Sequence, residues 1–196
     1  MKVINLGEQN SVLNQFVSEI RDVNIQKDSL RFRRNLERIG EIFAYEISKT
    51  LNYVPSEVET PLGIANIQLC NQTIVLGTIL RAGLPLHQGL LNYFDCAQNS
   101  FIAAYRKYGK DNKFTIQIEY ASSPKLEGKI LILADTMLAT GASIVLAYEK
   151  LCQEGEPIHT HLVCPITSAY SIDSLSKHLP HKRVTLWVSA IDEELT

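Results

Sequence analysis

Two spacings of apolar residues alternate along this chain. Ile130 to Ala134 is an uninterrupted apolar run, which predicts a buried strand, and Ile144, Ala147, Tyr148 and Leu151 behind it recur at helical spacing. The same alternation predicts a strand over Ile74 to Leu80, a helix over Gly83 to Tyr93 and a strand over Ser100 to Tyr105. It resumes with a strand over Ile158 to Ile166, a helix over Tyr170 to His178 and a strand over Arg183 to Val188. Ahead of it the chain reads as helical. Ser11 caps a short helix holding Val12, Leu13, Phe16, Val17 and Ile20. Asp28 or Ser29 caps a longer one whose apolar face is Phe32, Leu36, Ile39, Ile42, Phe43 and Ile47, ended by Asn52 and Pro55. Strands alternating with helices over short connections predict an α/β fold, a mainly parallel central sheet with helices on both faces. Ligands of such sheets bind beyond the carboxyl ends of the strands.

One stretch departs from the alternation. Phe114, Ile116 and Ile118 lie at period two between Gly109-Lys110-Asp111-Asn112 and Ser122-Ser123-Pro124, which predicts a projecting β-arm over residues 107–126. Its Lys107, Lys110 and Lys113 either close over an anion or stay solvated. Without a repeat, a low-complexity tract or a long linker, residues 1–196 are expected to form a single domain, with N-terminal helices over 1–52.

Composition narrows the partners. A formal charge of −2 with interspersed signs offers no broad basic field, so no nucleic acid is expected. Cys70, Cys96, Cys152 and Cys164 show no CxxC spacing and lie in or beside apolar stretches, as reduced, buried thiols of a cytoplasmic protein would. No signal core is present and no apolar run approaches the roughly 20 residues that span a bilayer, so no membrane is expected. The N-terminal helices carry more apolar face than the sheet needs, which predicts a homodimer or higher homo-oligomer.

The chemistry concentrates in Asp135-Thr136-Met137-Leu138-Ala139-Thr140-Gly141-Ala142-Ser143, between the predicted strand and helix. Small residues let the backbone N–H groups of Thr140 to Ser143 surround an anion at a helix N-terminus. Asp135 beside an anion site makes sense if the ligand also carries hydroxyls, as a sugar phosphate does. The commoner GxxxxGK[ST] and GxGxxG phosphate motifs are absent. Arg81 and Arg106 follow two other predicted strands at the same edge, and guanidinium forks match phosphate oxygens, so the ligand is expected to carry phosphate at both ends. His159 and His161 share a strand face and, without a third ligand, read as structural, and His87 reads as packed. Arg31-Phe32-Arg33-Arg34 reads as a charged helix face, with Arg33 beside Glu37, or as an effector or subunit contact.

At these residues the chain resembles the uracil phosphoribosyltransferases, of the type I phosphoribosyltransferase fold. Ile79-Leu80-Arg81-Ala82-Gly83-Leu84-Pro85 is similar to that family's pyrophosphate-contacting turn, Tyr105-Arg106 to its second pyrophosphate contact, and Asp135 to Ser143 to its loop for phosphoribosyl pyrophosphate (PRPP). The resemblance implies transfer of phosphoribose from PRPP to uracil, giving UMP in pyrimidine salvage. It implies Arg81, Arg106 and Asp135 as catalytic residues, residues 135 to 143 with both arginines as the PRPP site, and Mg²⁺ bound with PRPP. A non-catalytic PRPP-binding regulator, or a transferase for another base, would share these residues. Thr136 stands where the family usually has Pro, and Ala142 where it usually has a second Gly; a left-handed backbone at Ala142 would cost about 1 kcal/mol. The family's uracil-reading stretch would lie beyond Thr196, so the natural chain is expected to continue past that residue.

Overall fold

A computed structural model describes residues 1–108 and 114–193. The chain opens with a strand, β1 (Lys2–Asn5), followed by helices α1 (Leu13–Arg21) and α2 (Ser29–Ser48). Asp28 is the N-cap of α2, its Oδ1 accepting the N–H groups of Leu30 and Arg31, whereas the N-cap of α1 is Val12 and Ser11, one residue earlier, accepts the Leu13 N–H at 3.2 Å. An antiparallel hairpin follows, β2 (Tyr53–Thr60) and β3 (Gly63–Cys70), turned at Gly63 with a φ of 128°. Then come β4 (Ile74–Leu80), α3 (Leu84–Leu91), β5 (Gln98–Tyr108), β6 (Phe114–Ser122) and β7 (Ile130–Ala134). The rest of the chain forms β8 (Met137–Leu138), α4 (Ala142–Cys152), β9 (His159–Val163), β10 (Ile166–Ser168), α5 (Ala169–His178), β11 (Val184–Val188) and β12 (Ala190–Asp192).

The main sheet runs β1-β11-β9-β7-β4-β5-β6, parallel except for the β5–β6 edge. Side chains alternate across it, so Leu76 and Ile132 meet Phe43, Ile39 and Leu86 of α2 and α3, while Val75, Leu131 and Leu162 meet Ile144, Leu151 and Leu175 of α4 and α5. The expected helices on both faces are therefore present. Helices α2 and α3 cross at glycines: a Cβ on Gly89 would lie 1.9 Å from Glu37 O, and one on Gly40 2.4 Å from Leu86 O. Helix α1 is tied to α2 through Glu19, which accepts from Gln15 (2.8 Å), Asn35 (2.7 Å) and Arg31 (3.0 Å). These donors, Gln15 foremost, hold its carboxyl down at about 2.

The structure corrects several expectations. The strand expected over Ile158 to Ile166 is broken into β9 and β10 at Cys164-Pro165, because Pro165 has no N–H for the ladder; its carbonyl instead accepts the N–H groups of Ser189 and Ala190 at 3.0 Å. Of the four cysteines, all free, only Cys164 is buried: Cys70 ends the exposed β2–β3 ribbon and Cys96 lies in an exposed loop. Glu37 pairs with Arg34 rather than Arg33, and Arg31 with Glu19. Strand β1 and the β2–β3 ribbon were not anticipated. The arm is rooted in the main sheet, with β6 paired to β5 from Phe101↔Ser122 outward to Tyr108↔Phe114 across a bulge at Ala103 and Ala104. Lys110 and Lys113 lie outside the described residues, as do the side chains of Arg106 and Lys107. Among the described residues no helix is long and apolar enough to cross a membrane.

His159 and His161 sit near the amino end of β9, away from the strands' carboxyl edge. Trp187 Nε1–H donates to His161 Nδ1 at 3.0 Å, which leaves the proton of the neutral ring on Nε2. Burial, with His159 alongside, pushes His161 down from 6.5 to about 3. A histidine kept neutral by the fold favours unfolding in acid: the stability is intact above pH 6.5 and is lost as pH falls from 6.5 towards 3. At pH 5 the loss is about 2 kcal/mol. Urea midpoints against pH should show this slope in the native protein and a flatter one in His161→Gln.

Candidate active site

The neighbouring parallel strands β4 and β7 bring two functional segments to one edge. Thr78 is in register with Ala134 and its Oγ1 donates to the Ala134 carbonyl at 3.4 Å. The chain then leaves β4 through a tight turn, with Gly83 N–H on Ile79 O at 3.2 Å and Leu84 N–H on Arg81 O at 3.3 Å. A Cβ on Gly83 would stand 2.2 Å from Thr78 Oγ1 and 3.5 Å from Ala134 O, so only glycine lets the turn fold down onto the strand ends. This sets the Arg81 turn beside the end of β7, where Asp135 begins the loop. The Leu80–Arg81 peptide is cis. Arg81 is exposed and makes no salt bridge among the described residues, which leaves its guanidinium available to an anion.

Asp135 is anchored through its backbone N–H, which donates to Val163 O at 3.0 Å. Desolvation raises its carboxyl to about 6, against the Thr136 N–H that donates to Oδ1 at 2.8 Å. Beyond it, Met137 and Leu138 form β8, which pairs with β10, itself paired with β12, in a small parallel sheet. Gly141 turns into α4 with a φ of 76°, and a Cβ there would meet Leu175 Cδ2 at 3.0 Å. The left-handed position is thus Gly141. Ala142 is the first helical residue, so the cost expected for it does not arise. The Thr140 hydroxyl accepts the Ala142 N–H at 3.4 Å, and no acidic residue occupies the first turn of α4, so the positive end of the helix dipole lies at the loop unopposed by a carboxylate. Thr140 and Ala142 are exposed there.

Arg106 lies on β5, opposite Ile116, three residues beyond Ala103, the register partner of Leu80. Its backbone is therefore about 10 Å further out than the end of β4, on the same side of the sheet. Two contributors escaped sequence reasoning. Ser171 of α5 reaches the loop, with Ser168 at the end of β10 bonded to it, and no local motif marks a contact across that separation. Among the described residues no three His, Cys, Asp or Glu side chains converge as a metal cage.

Comparison with known proteins places the chain in a family. The family model described as uracil phosphoribosyltransferase matches residues 7–196. A uracil phosphoribosyltransferase of Porphyromonas gingivalis is 50% identical over 192 residues, spanning 98% of this chain and 88% of that protein. One from Pyrococcus furiosus is 32% identical over 96% of this chain and 80% of its own length. Among solved structures, the AQ2163 protein of Aquifex aeolicus superposes with a TM-score of 0.86 at 26% identity, over 99% of this chain and 89% of that one. The adenine phosphoribosyl transferase of Trypanosoma brucei shares the fold, with a TM-score of 0.61 at 10% identity over 99% of this chain and 85% of its own. With a model match across nearly its whole length and a relative identical at half of its aligned positions, this chain belongs to the uracil phosphoribosyltransferase family.

Proposed function

We propose that this chain transfers the phosphoribosyl group of PRPP to uracil, giving UMP and pyrophosphate. The observation that carries this reading is the meeting, at one sheet edge, of a helix N-terminus with no acidic residue in its first turn and an exposed arginine with no salt bridge among the described residues, with a desolvated carboxylate at their junction. As a uracil nitrogen displaces pyrophosphate from C1, negative charge gathers on the leaving group and the ribose gains oxocarbenium character. Fixed cations at one end and a carboxylate at the sugar favour that distribution without reorganising. Arg81 and Arg106 bind the leaving pyrophosphate. Asp135 grips the ribose hydroxyls and its negative charge favours the cationic sugar. Residues 136 to 139 shape the loop, and the N–H groups of Thr140, Gly141, Ala142 and Ser143 hold the 5′-phosphate. Displacement is direct, with no nucleophilic side chain.

Mg²⁺ fits as a companion of PRPP: it takes one or two carboxylates plus substrate phosphates and keeps several waters, and Asp135 offers one such carboxylate. When bound it neutralises pyrophosphate charge. The test is UMP formation from uracil and PRPP, with cytosine, adenine and hypoxanthine in parallel. Turnover of another base in place of uracil would overturn the assignment. Arg106→Ala is expected to lower kcat by roughly 10- to 100-fold, as losing a charged hydrogen-bond donor does, while the Kd for ribose 5-phosphate stays within about twofold. Equal losses in both would remove Arg106 from the leaving-group end.

This reading includes a homodimer acting in the cytoplasm, in pyrimidine salvage. The β2–β3 ribbon supports the dimer. Val54, Val58, Ile67 and Leu69 share one exposed face of it while Glu57, Asn66 and Gln68 share the other, and an isolated two-stranded hairpin is marginal in water. Sedimentation should give a dimer for the native chain and a monomer for Val58→Glu/Ile67→Lys.

A further inference from the structure

The loop that begins at Asp135 rests on α5, and one buried hydroxyl meets it there. Ser171 Oγ lies 2.8 Å from Leu138 O and 2.7 Å from Ala139 O. It is also 2.9 Å from Ser168 Oγ, which accepts the Ser171 N–H at 3.1 Å. Ser171 is fully buried and Ser168 is 2% exposed, so water does not compete for these groups. The two carbonyls can only accept, so the Ser171 proton goes to them and the Ser168 hydroxyl donates to Ser171 Oγ. The result is a directed chain, Ser168 to Ser171 to the loop, in which each link polarises the next.

The consequence follows from the peptide unit. In a planar trans peptide the carbonyl and the following N–H point in opposite directions. Turning the Leu138 and Ala139 carbonyls inward onto Ser171 therefore turns the N–H groups of Ala139 and Thr140 outward, and both residues are exposed on that side. One helical turn on, Leu175 Cδ2 lies 3.0 Å from where a Cβ on Gly141 would stand, so the same face of α5 meets the loop at 138–139 and again at 141.

We propose that Ser171, oriented by Ser168, is a positioning residue that aims the loop's backbone N–H groups at the 5′-phosphate of the donor. The inference rests on the reading of residues 140–143 as the phosphate cradle. Its mark is selectivity between the two ends of PRPP, because Ser171 touches the loop and not the Arg81 turn.

Ribose 5-phosphate and pyrophosphate, titrated separately by calorimetry, probe the two ends. Ser171→Ala is expected to weaken ribose 5-phosphate about tenfold and to leave pyrophosphate within about twofold, with Ser171→Cys, a weaker donor in the same place, between. In turnover, the KM for PRPP should rise about tenfold while kcat changes by less than about threefold. Unchanged ribose 5-phosphate affinity, or a parallel loss of both ligands, would overturn the proposal, since a merely structural serine would lower the melting temperature without distinguishing the two ends. Should Ser171→Ala fail to fold, Ser168→Ala leaves the Ser171 hydroxyl in place but unoriented, and about a threefold loss confined to ribose 5-phosphate is expected. A native protein that does not bind ribose 5-phosphate would overturn the cradle reading and this inference together. Native binding with unaffected variants would overturn this inference alone.

Discussion

Asp135→Asn is expected to lower kcat/KM for PRPP by roughly 10²- to 10³-fold, the usual cost of removing one preorganised electrostatic partner of a transition state. The amide keeps the acceptor for the Thr136 N–H, so the loop should hold its shape while the charge facing the sugar is lost. Because the carboxyl is raised to about 6, the native enzyme should lose activity as pH falls through 6, where Asp135 becomes protonated. Substrate phosphate also titrates near that value. The difference between native and Asp135→Asn profiles isolates the protein's own acid limb. Stability should move the other way. A carboxyl whose folded pKa is raised from 3.8 to about 6 contributes stability below pH 3.8 and loses it as pH rises through 6, so at pH 7 the ligand-free native chain carries a burden of about 3 kcal/mol. Urea unfolding at pH 7 should therefore find the nearly inactive variant more stable.

Gly89→Ala is expected to be the most damaging substitution for stability. The added Cβ would lie 1.9 Å from the Glu37 carbonyl oxygen and 2.9 Å from Glu41 N, both backbone atoms of α2, so no side chain can swing aside. Relief requires α2 and α3 to separate, which loosens a seam that buries Leu36, Ile39, Phe43, Leu86 and Leu90. Overpacking costs of this kind reach about 3 kcal/mol, or about 6–12 °C in melting temperature for a chain of this size. Gly128→Ala is the control. Its φ of 74° is strained for alanine but a Cβ there meets nothing within 4 Å, so about 1 kcal/mol is expected. Equal melting temperatures for the two variants would mean that α2 does not depend on close approach at Gly89.

Legibility followed burial. Ile74 to Leu80 and Ile130 to Ala134 were read at their observed bounds because a strand covered on both faces must be apolar at nearly every position. Asp28 marked the start of α2 because its side chain does the capping. The β2–β3 ribbon was opaque for the opposite reason: both faces are exposed and Pro55 interrupts it. β8, β10 and β12 are two or three residues long, below any periodic signal. At the site, Asp135 to Ser143 and the Arg81 turn were visible because each is one continuous segment. The closeness of Gly83 to Thr78, and of Ser171 to Leu138, arises only when separate segments are packed together.

The placement of β1 has a consequence for synthesis. Lys2 pairs with Thr185 and Asn5 with Val188, so β1 finds its ladder only after the roughly 180 residues that separate it from β11 have been made. At about 5–20 residues per second that is a wait of roughly 10–40 s. During it, the amino-terminal strand has no neighbour to satisfy its backbone and is open to mispairing. Closing the sheet at this end thus comes after β11 has been made, and a bulky group attached ahead of β1 should slow maturation of nascent molecules more than it disturbs finished ones.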